Sequence, residues 1–218
     1  MSDAFILWTC GKDAFFALDR AIAAGLRPRL LLTFIDRTTG LTLSGRIPPE
    51  LVEEQARLLG IPVQLEKTTW SEYHRDTRNV LFDLRSAGIT RGVFGDLFER
   101  PARDWIELRL AEVDMRGVFP LWGLPPSLLA ERQIDLMKST IVRIDRKKIS
   151  ESYLGRDFDH AFVDYLVERG MAPVGESGLY ATFVRSSPLM RRDIVLTHAE
   201  RRATPESVEL DIDFWQLS

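Results

Sequence analysis

"LWTCGKDAFF", residues 7–16, is the stretch on which the fold turns. An apolar run breaks off at a glycine and a lysine, and an aspartate follows just where apolar residues begin to recur at helical spacing. Residues 5–9 are short and apolar, as a buried strand would be. Residues 12–24 carry the helical pattern, and Gly25 is placed to stop that helix. A strand that feeds a helix through a tight turn is one half of a βαβ unit, so the question becomes whether the pattern repeats.

It does, through the first half of the chain. Residues 30–35 read as a second buried strand, and 48–59 as a helix with proline at its start and Gly60 at its end. Residues 62–65 read as a third strand, 71–87 as a helix followed by Gly88, and 92–95 as a fourth strand. A helix over 103–115 and a strand over 118–121 complete the series. Strands alternating with helices of this length predict a parallel α/β sheet with helices on both faces. Right-handed crossovers bring the carboxyl ends of the strands to one edge, where open α/β sheets bind ligands. Near residue 125 the rhythm changes. A helix over 127–138, the run "TIVRID" and a mixed stretch follow, ending in strand-like runs at 194–198 and 208–214. The chain therefore divides into 1–124 and a smaller C-terminal α+β part, 125–218.

Composition narrows the function classes. The 218 residues are 45% hydrophobic and 28% charged, an ordinary globular balance that needs no disulfide or metal to hold a core. Cys10 is the single cysteine, so a disulfide framework and a CxxC site are both excluded, in keeping with a cytoplasmic protein. No apolar run is long enough to cross a bilayer, and "MSDAF" has neither a basic leader nor a cleavage site. A net charge of -3 argues against a nucleic-acid-coating role, and Arg143, Arg146, Lys147 and Lys148 read as solvated surface. Self-association is left open.

The turn "TCGKDA", residues 9–14, carries the chemistry. It lies where a helix N-terminus points free N–H groups and partial positive charge at the crevice, a natural seat for phosphate. Gly11 allows close backbone approach, Lys12 adds a point charge, and Asp13 either caps the helix or helps hold magnesium. The turn is not a Walker A loop, because Ile6 stands where that motif needs glycine and Asp13 stands where it needs Ser or Thr. The plain alternative is a βα turn with an exposed lysine. Cys10 is either a thiol activated by the helix terminus or, more simply, a packed residue. Asp157, Asp159 and His160 lack ligand spacing and read as an Asp-capped helix start. The five tryptophans have no regular spacing, so core and interface roles come first.

"TCGKDA" resembles the SGGKDS loop of PP-loop ATP pyrophosphatases, which cleave ATP between the α and β phosphates. "GVFGDLFERPARDWIE", residues 92–107, and "VGESGLYATFVRSSPLM", residues 174–190, are similar to two signature segments of the diphthine–ammonia ligase family. "EEQARLLGIPV", residues 53–63, and "FPLWG", residues 119–123, fit the same pattern. The resemblance runs in order from about residue 4 to residue 190. It implies a Rossmann-like (HUP-type) fold, with ATP and Mg2+ as cofactors. The implied reaction activates a carboxylate as an acyl-adenylate, from which ammonia displaces AMP. By position, Thr9, Cys10, Gly11, Lys12, Asp13 and Ala14 would wrap the phosphates, Gly95 would border them, and the strand around Phe34 would offer backbone groups to adenine. Asp13 and Asp96 would hold magnesium. Lys12, Asp96, Arg103, Glu107 and Glu176 would serve the reaction. Glu176, Tyr180 and Thr182 would line the side of the site that receives an unidentified carboxylate acceptor.

The bland versions of two of these residues are a helix salt bridge for Arg103 with Glu107 and a helix cap for Asp96. The chain also departs from the family pattern. Thr9, Cys10 and Ala14 replace a serine, a glycine and a serine of the loop. Leu179 and Ala181 stand for two glutamates, Ser44 for a histidine and Trp105 for a basic residue. The nucleotide half is thus kept better than the acceptor half. Two rivals follow: a PP-loop enzyme acting on RNA, for which the lone cysteine and acidic balance are poor equipment, and an adenine-nucleotide-binding protein without chemistry.

Overall fold

The computed structural model describes residues 2–175 and 178–218. Strands β1 (Asp3–Leu7), β2 (Arg27–Asp36), β3 (Val63–Thr68), β4 (Arg91–Val93) and β5 (Arg116–Val118) form a parallel sheet in the order β3-β2-β1-β4-β5. Helices α1 (Lys12–Ala23), α2 (Pro49–Leu59), α3 (Tyr73–Ser86) and α4 (Arg100–Ala111) make the crossovers. This is the α/β, Rossmann-like arrangement expected. The chain runs from β1 outward to β3, then returns to the other side of β1 for β4. The strand order reverses there, so the switch point lies between the carboxyl ends of β1 and β4.

Period-2 alternation sorts the sheet's side chains onto two faces. Ala4, Ile6 and Leu31 pack with Phe15 and Leu18 of α1 and Leu51 and Val52 of α2. Phe5 and Leu32 point the other way, into a second cluster with Val80, Leu81 and Leu84 of α3 and Leu110 of α4. Both faces are covered, which is why the strands read as nearly continuous apolar runs.

The rest of the described chain forms helix α5 (Pro126–Leu136), strand β6 (Lys138–Asp145), helix α6 (His160–Glu168) and strands β7 (Tyr180–Ser186), β8 (Ile194–Ala203) and β9 (Ser207–Leu217). The four strands make an antiparallel sheet in the order β7-β6-β9-β8. Its apolar residues Val142, Phe183 and Ile212, with Phe162 of α6, join the same core cluster as α1 and α2. The two sheets share one interior.

Several boundaries move from where the sequence put them. α4 opens at Arg100, three residues early, with Pro101 in its first turn, where a missing N–H costs nothing. β4 closes at Val93, which leaves Gly95 and Asp96 in the loop beyond it. β7 was hidden inside the stretch read only as mixed. Asp159 does cap α6, its carboxylate accepting the Phe162 N–H at 2.9 Å, and Asp157 pairs with Arg185. Among the described residues no helix is long and apolar enough to cross a membrane.

Candidate functional site

The loop that joins β1 to α1 is built by unusual backbone and distant partners. Cys10 sits at φ 63°, in the left-handed region that an L side chain enters at a cost of about 1–2 kcal/mol. The resemblance places glycine at that position, and the geometry supplies the reason. The Cys10 side chain is fully buried, and burial pushes its thiol far above the ordinary range. That overrides the helix terminus, so the packed role stands and the reactive one does not. Its carbonyl accepts the Val184 N–H of β7 at 2.9 Å. Gln55 of α2, also fully buried, ties the same region together. It accepts the Trp8 indole N–H at 3.1 Å and donates to the carbonyls of Val184 at 2.7 Å and Cys10 at 3.3 Å.

Gly11 is the residue before α1 and makes no side-chain cap. A Cβ there would lie 3.1 Å from the Thr182 carbonyl. The cap comes from β7 instead: the Lys12 N–H donates to Thr182 Oγ1 at 3.1 Å. Phe15 N–H opens the helical ladder by bonding to Gly11 O, so the N–H groups of Asp13 and Ala14 have no acceptor within the helix. Asp13 therefore lies inside the first turn and is not the cap the sequence allowed.

Lys12 is not an exposed turn lysine either; it is 2% exposed. An ammonium has three donors, and all three are engaged. Nζ stands 2.9 Å from each oxygen of Asp13 and 2.8 Å from the Val174 carbonyl. The rings of Phe158 and Tyr180 flank it, with centroids 5.3 and 5.4 Å away. Asp13 is further held by Gln133 of α5, whose Nε2 donates to Oδ1 at 2.7 Å.

Asp96 stands on the opposite bank of the switch point, in the half-buried loop after β4. Burial first, then the charges of Asp13 and Glu99, hold its carboxyl above the ordinary aspartate range. The Asp96 charge also helps raise the Tyr73 hydroxyl, behind burial as the larger cause. Asp96 is thus within electrostatic reach of both Asp13 and Tyr73. Gly95 lets the banks approach: a Cβ there would lie 2.9 Å from the backbone carbon and 3.0 Å from the carbonyl oxygen of Asp13.

Two small cavities open along this edge. One of about 150 Å³ is bordered by Thr9, Gly11, Lys12, Asp13, Ser44 and Thr182 among others. The second, about 110 Å³, lies over β2 between Phe34, Trp70 and Tyr73 and shares Thr9 and Ser44 with the first. A larger cavity of about 590 Å³ runs between Phe16 of α1 and Leu128 of α5 but borders none of residues 9–14. Size alone would favour it; the strand carboxyl ends and convergent polar groups favour the smaller pair.

The other residues singled out from sequence fall in three places. Tyr180 and Thr182 border the first cavity, but the Tyr180 hydroxyl is spent on the Pro173 carbonyl at 2.8 Å. Phe34 borders the second cavity, and its carbonyl accepts the Leu43 N–H at 2.8 Å. Arg103 and Glu107 border neither. They pair at 2.9 Å, with the Arg103 guanidinium over the rings of Phe119 and Trp122 at 4.5 and 4.6 Å. Glu176 lies outside the described residues. Of the replaced positions, Leu179 is buried and Ala181 borders the first cavity.

Gln55 and Gln133 were missed, though each left a sign: a polar residue inside an apolar stripe, between Val52 and Ala56 and between Ala130 and Ile134. Trp70 and Tyr73 left none beyond being aromatic. Among the described residues no group of three or more His, Cys, Asp or Glu gathers for a metal. Asp13 and Asp96 could supply two carboxylates, with phosphate and water completing a magnesium shell. A carboxyl whose charge is disfavoured by burial and by a like charge suits a cation between the two.

Fold and crevice define an open α/β protein with a groove at its switch point, bordered on one side by a strand of a second, antiparallel sheet. Residues 125–213 match the family described as the diphthamide synthase C-terminal domain, in agreement with the family resemblance read from the sequence. The chain is also similar to a crystal structure described as a predicted subunit of tRNA methyltransferase from Methanocaldococcus jannaschii. The two are 15% identical with a TM-score of 0.49, over 86% of this chain and 98% of that one. Comparison with curated proteins gives no match.

Proposed function

We propose that this protein is an ATP-dependent, AMP-forming ligase related to diphthine–ammonia ligases. It adenylates a carboxylate, releases pyrophosphate, and amidates the activated acyl group with release of AMP. The observation that carries the reading is the pair of neighbouring cavities that share Thr9 and Ser44 in their walls, one at the head of α1 and one lined by aromatic rings over β2. That shape suits a nucleotide lying along the edge, phosphates on the helix and base on the rings.

In this scheme the free N–H groups of Asp13 and Ala14 receive phosphate oxygens, and Thr9 adds a hydroxyl. Phe34, Trp70 and Tyr73 enclose the base. Asp13 and Asp96 would hold magnesium, which would offset charge developing on the phosphates. Lys12 reaches a phosphate oxygen only by giving up one of its three present partners, so as it stands it supplies its charge by fixing Asp13. An acceptor carboxylate oxygen attacks the α-phosphorus as the bond to pyrophosphate breaks. Ammonia then attacks the acyl carbon, the C–O bond to AMP breaks, and Glu176 takes the proton the nitrogen sheds.

A second reading draws on Leu179 and Ala181. With neither carboxylate present on the acceptor side, an adenine-nucleotide-binding protein without amidation keeps the same cavities. One experiment separates the two: thermal unfolding with and without Mg-ATP, beside chromatography of the nucleotide after incubation with ammonium and candidate carboxylates. Ligand at a hundred times its dissociation constant adds about 2.7 kcal/mol, which for this chain length raises Tm by roughly 5–10 °C. Trp70→Ala is expected to lose most of that shift. A shift with AMP and pyrophosphate production supports the ligase, a shift without turnover supports the binder, and no shift removes both.

A further inference from the structure

The second half of the chain reaches into the head of α1 through three bonds. Thr182 caps the Lys12 N–H, Val174 takes one Lys12 ammonium proton, and Gln133 donates to Asp13. The third is the odd one. Gln133 is 0% exposed, and its Oε1 has no hydrogen-bond partner among the described residues. An apolar side chain of that size would leave no orphaned acceptor in the interior, so packing alone does not account for an amide here. The amide cannot be turned around to help itself, because Oε1 would then face the Asp13 carboxylate. What offsets the orphan is the one side-chain bond the amide makes among the described residues, a charge-assisted donation to Asp13 Oδ1 at 2.7 Å.

The result is an asymmetric carboxylate. Oδ1 accepts from both Gln133 and Lys12, while among the described residues Oδ2 accepts from Lys12 alone. Asp13 keeps a third of its side chain exposed, and the loop that carries Asp96 closes on its backbone at Gly95, where a Cβ would lie 2.9 Å from the Asp13 carbonyl carbon. We infer that Gln133 is a positioning residue, which fixes the Asp13 carboxylate so that Oδ2 is presented to a divalent cation held jointly with Asp96. The inference rests on the nucleotide reading of this crevice and adds to it a role for a residue of the C-terminal part. Such outer partners of metal-holding carboxylates typically set affinity by about 10–100-fold.

The test uses the full chain with α,β-methylene-ATP, which the protein cannot cleave at the α–β bridge, and Mn2+ counted by its EPR signal. Gln133→Met keeps the volume and removes the donor; Gln133→Asn keeps the amide but withdraws it from reach, and covers the case where the first variant fails to fold. Each is expected to weaken Mn2+ binding in the nucleotide complex about 10–100-fold while metal-free nucleotide affinity stays within twofold. Asp13→Asn is expected to weaken it at least as much, and Gln133→Met added to Asp13→Asn should bring no further loss. Losses that multiply would mean that Gln133 acts elsewhere and would overturn the inference. So would Mn2+ affinity equal to wild type in both Gln133 variants, or a wild-type nucleotide complex that takes no Mn2+; in these cases the nucleotide reading survives. Wild-type protein that binds no nucleotide overturns both.

Discussion

The Asp96 carboxyl is held up by burial first and by Asp13 and Glu99 next, which makes it a measurable source of pH dependence. Its folded pKa lies above the ordinary value of 3.8, so the folded state binds the proton more tightly than the unfolded one. The stabilisation it brings is complete below that ordinary value and is lost as pH rises through the folded pKa. Asp96→Asn is therefore expected to raise the thermal midpoint at pH 7 in the absence of nucleotide, with the gain fading on acidification toward pH 4. Equal midpoints at both pH values would show that the carboxyl is not under this strain. Single residues were also the scale least legible in the sequence. Lys12 could be singled out from the turn it sits in, yet its burial could not be seen, because its partners Val174 and Tyr180 come from the far end of the chain. The left-handed backbone of Cys10 was equally hidden, since a cysteine gives no sign of the conformation a glycine would have advertised.

At the scale of elements, local patterns were enough for the parallel sheet. Proline-led helix starts, glycine stops and alternating apolar faces belong to one segment each and need no tertiary partner to be read. β7 escaped because its neighbours β6 and α1, not its own short pattern, make it a strand with a purpose. The contact between the β4 loop and α1 is the most demanding junction. Gly95 faces the Asp13 backbone, and main chain cannot swing aside as a long side chain can. Gly95→Ala is expected to cost about 1–3 kcal/mol, as overpacking of a close junction does. Urea unfolding would read it as a lower midpoint at unchanged slope. A midpoint equal to wild type would mean that the two elements can part without penalty.

For the whole molecule, the change of rhythm near residue 125 was visible, but the shared interior was not. One cluster takes in Ile6 and Phe15 from the first half with Phe162 and Phe183 from the second, and Arg46 pairs with the buried Glu209 across the same divide. The parts should therefore unfold together. Far-UV and near-UV circular dichroism, the latter reporting on the tryptophans, are expected to give coincident thermal transitions. Two separated transitions would contradict an interior held in common. Periodicity says which face of an element is apolar; it does not say which distant element covers it, and one wall of the crevice, Tyr180 to Thr182, is such a covering.

The cap on α1 has a consequence for biosynthesis. Lys12 N–H waits for a hydroxyl 170 residues further along the chain. At about 5–20 residues per second, the ribosome delivers Thr182 roughly 10–35 s after Lys12. Through that interval the nascent protein holds a sheet whose leading helix has an unfinished end. The wall that Tyr180, Ala181 and Thr182 supply arrives only when translation is nearly over, so a truncated product would carry most of the site's residues on a crevice open along one side.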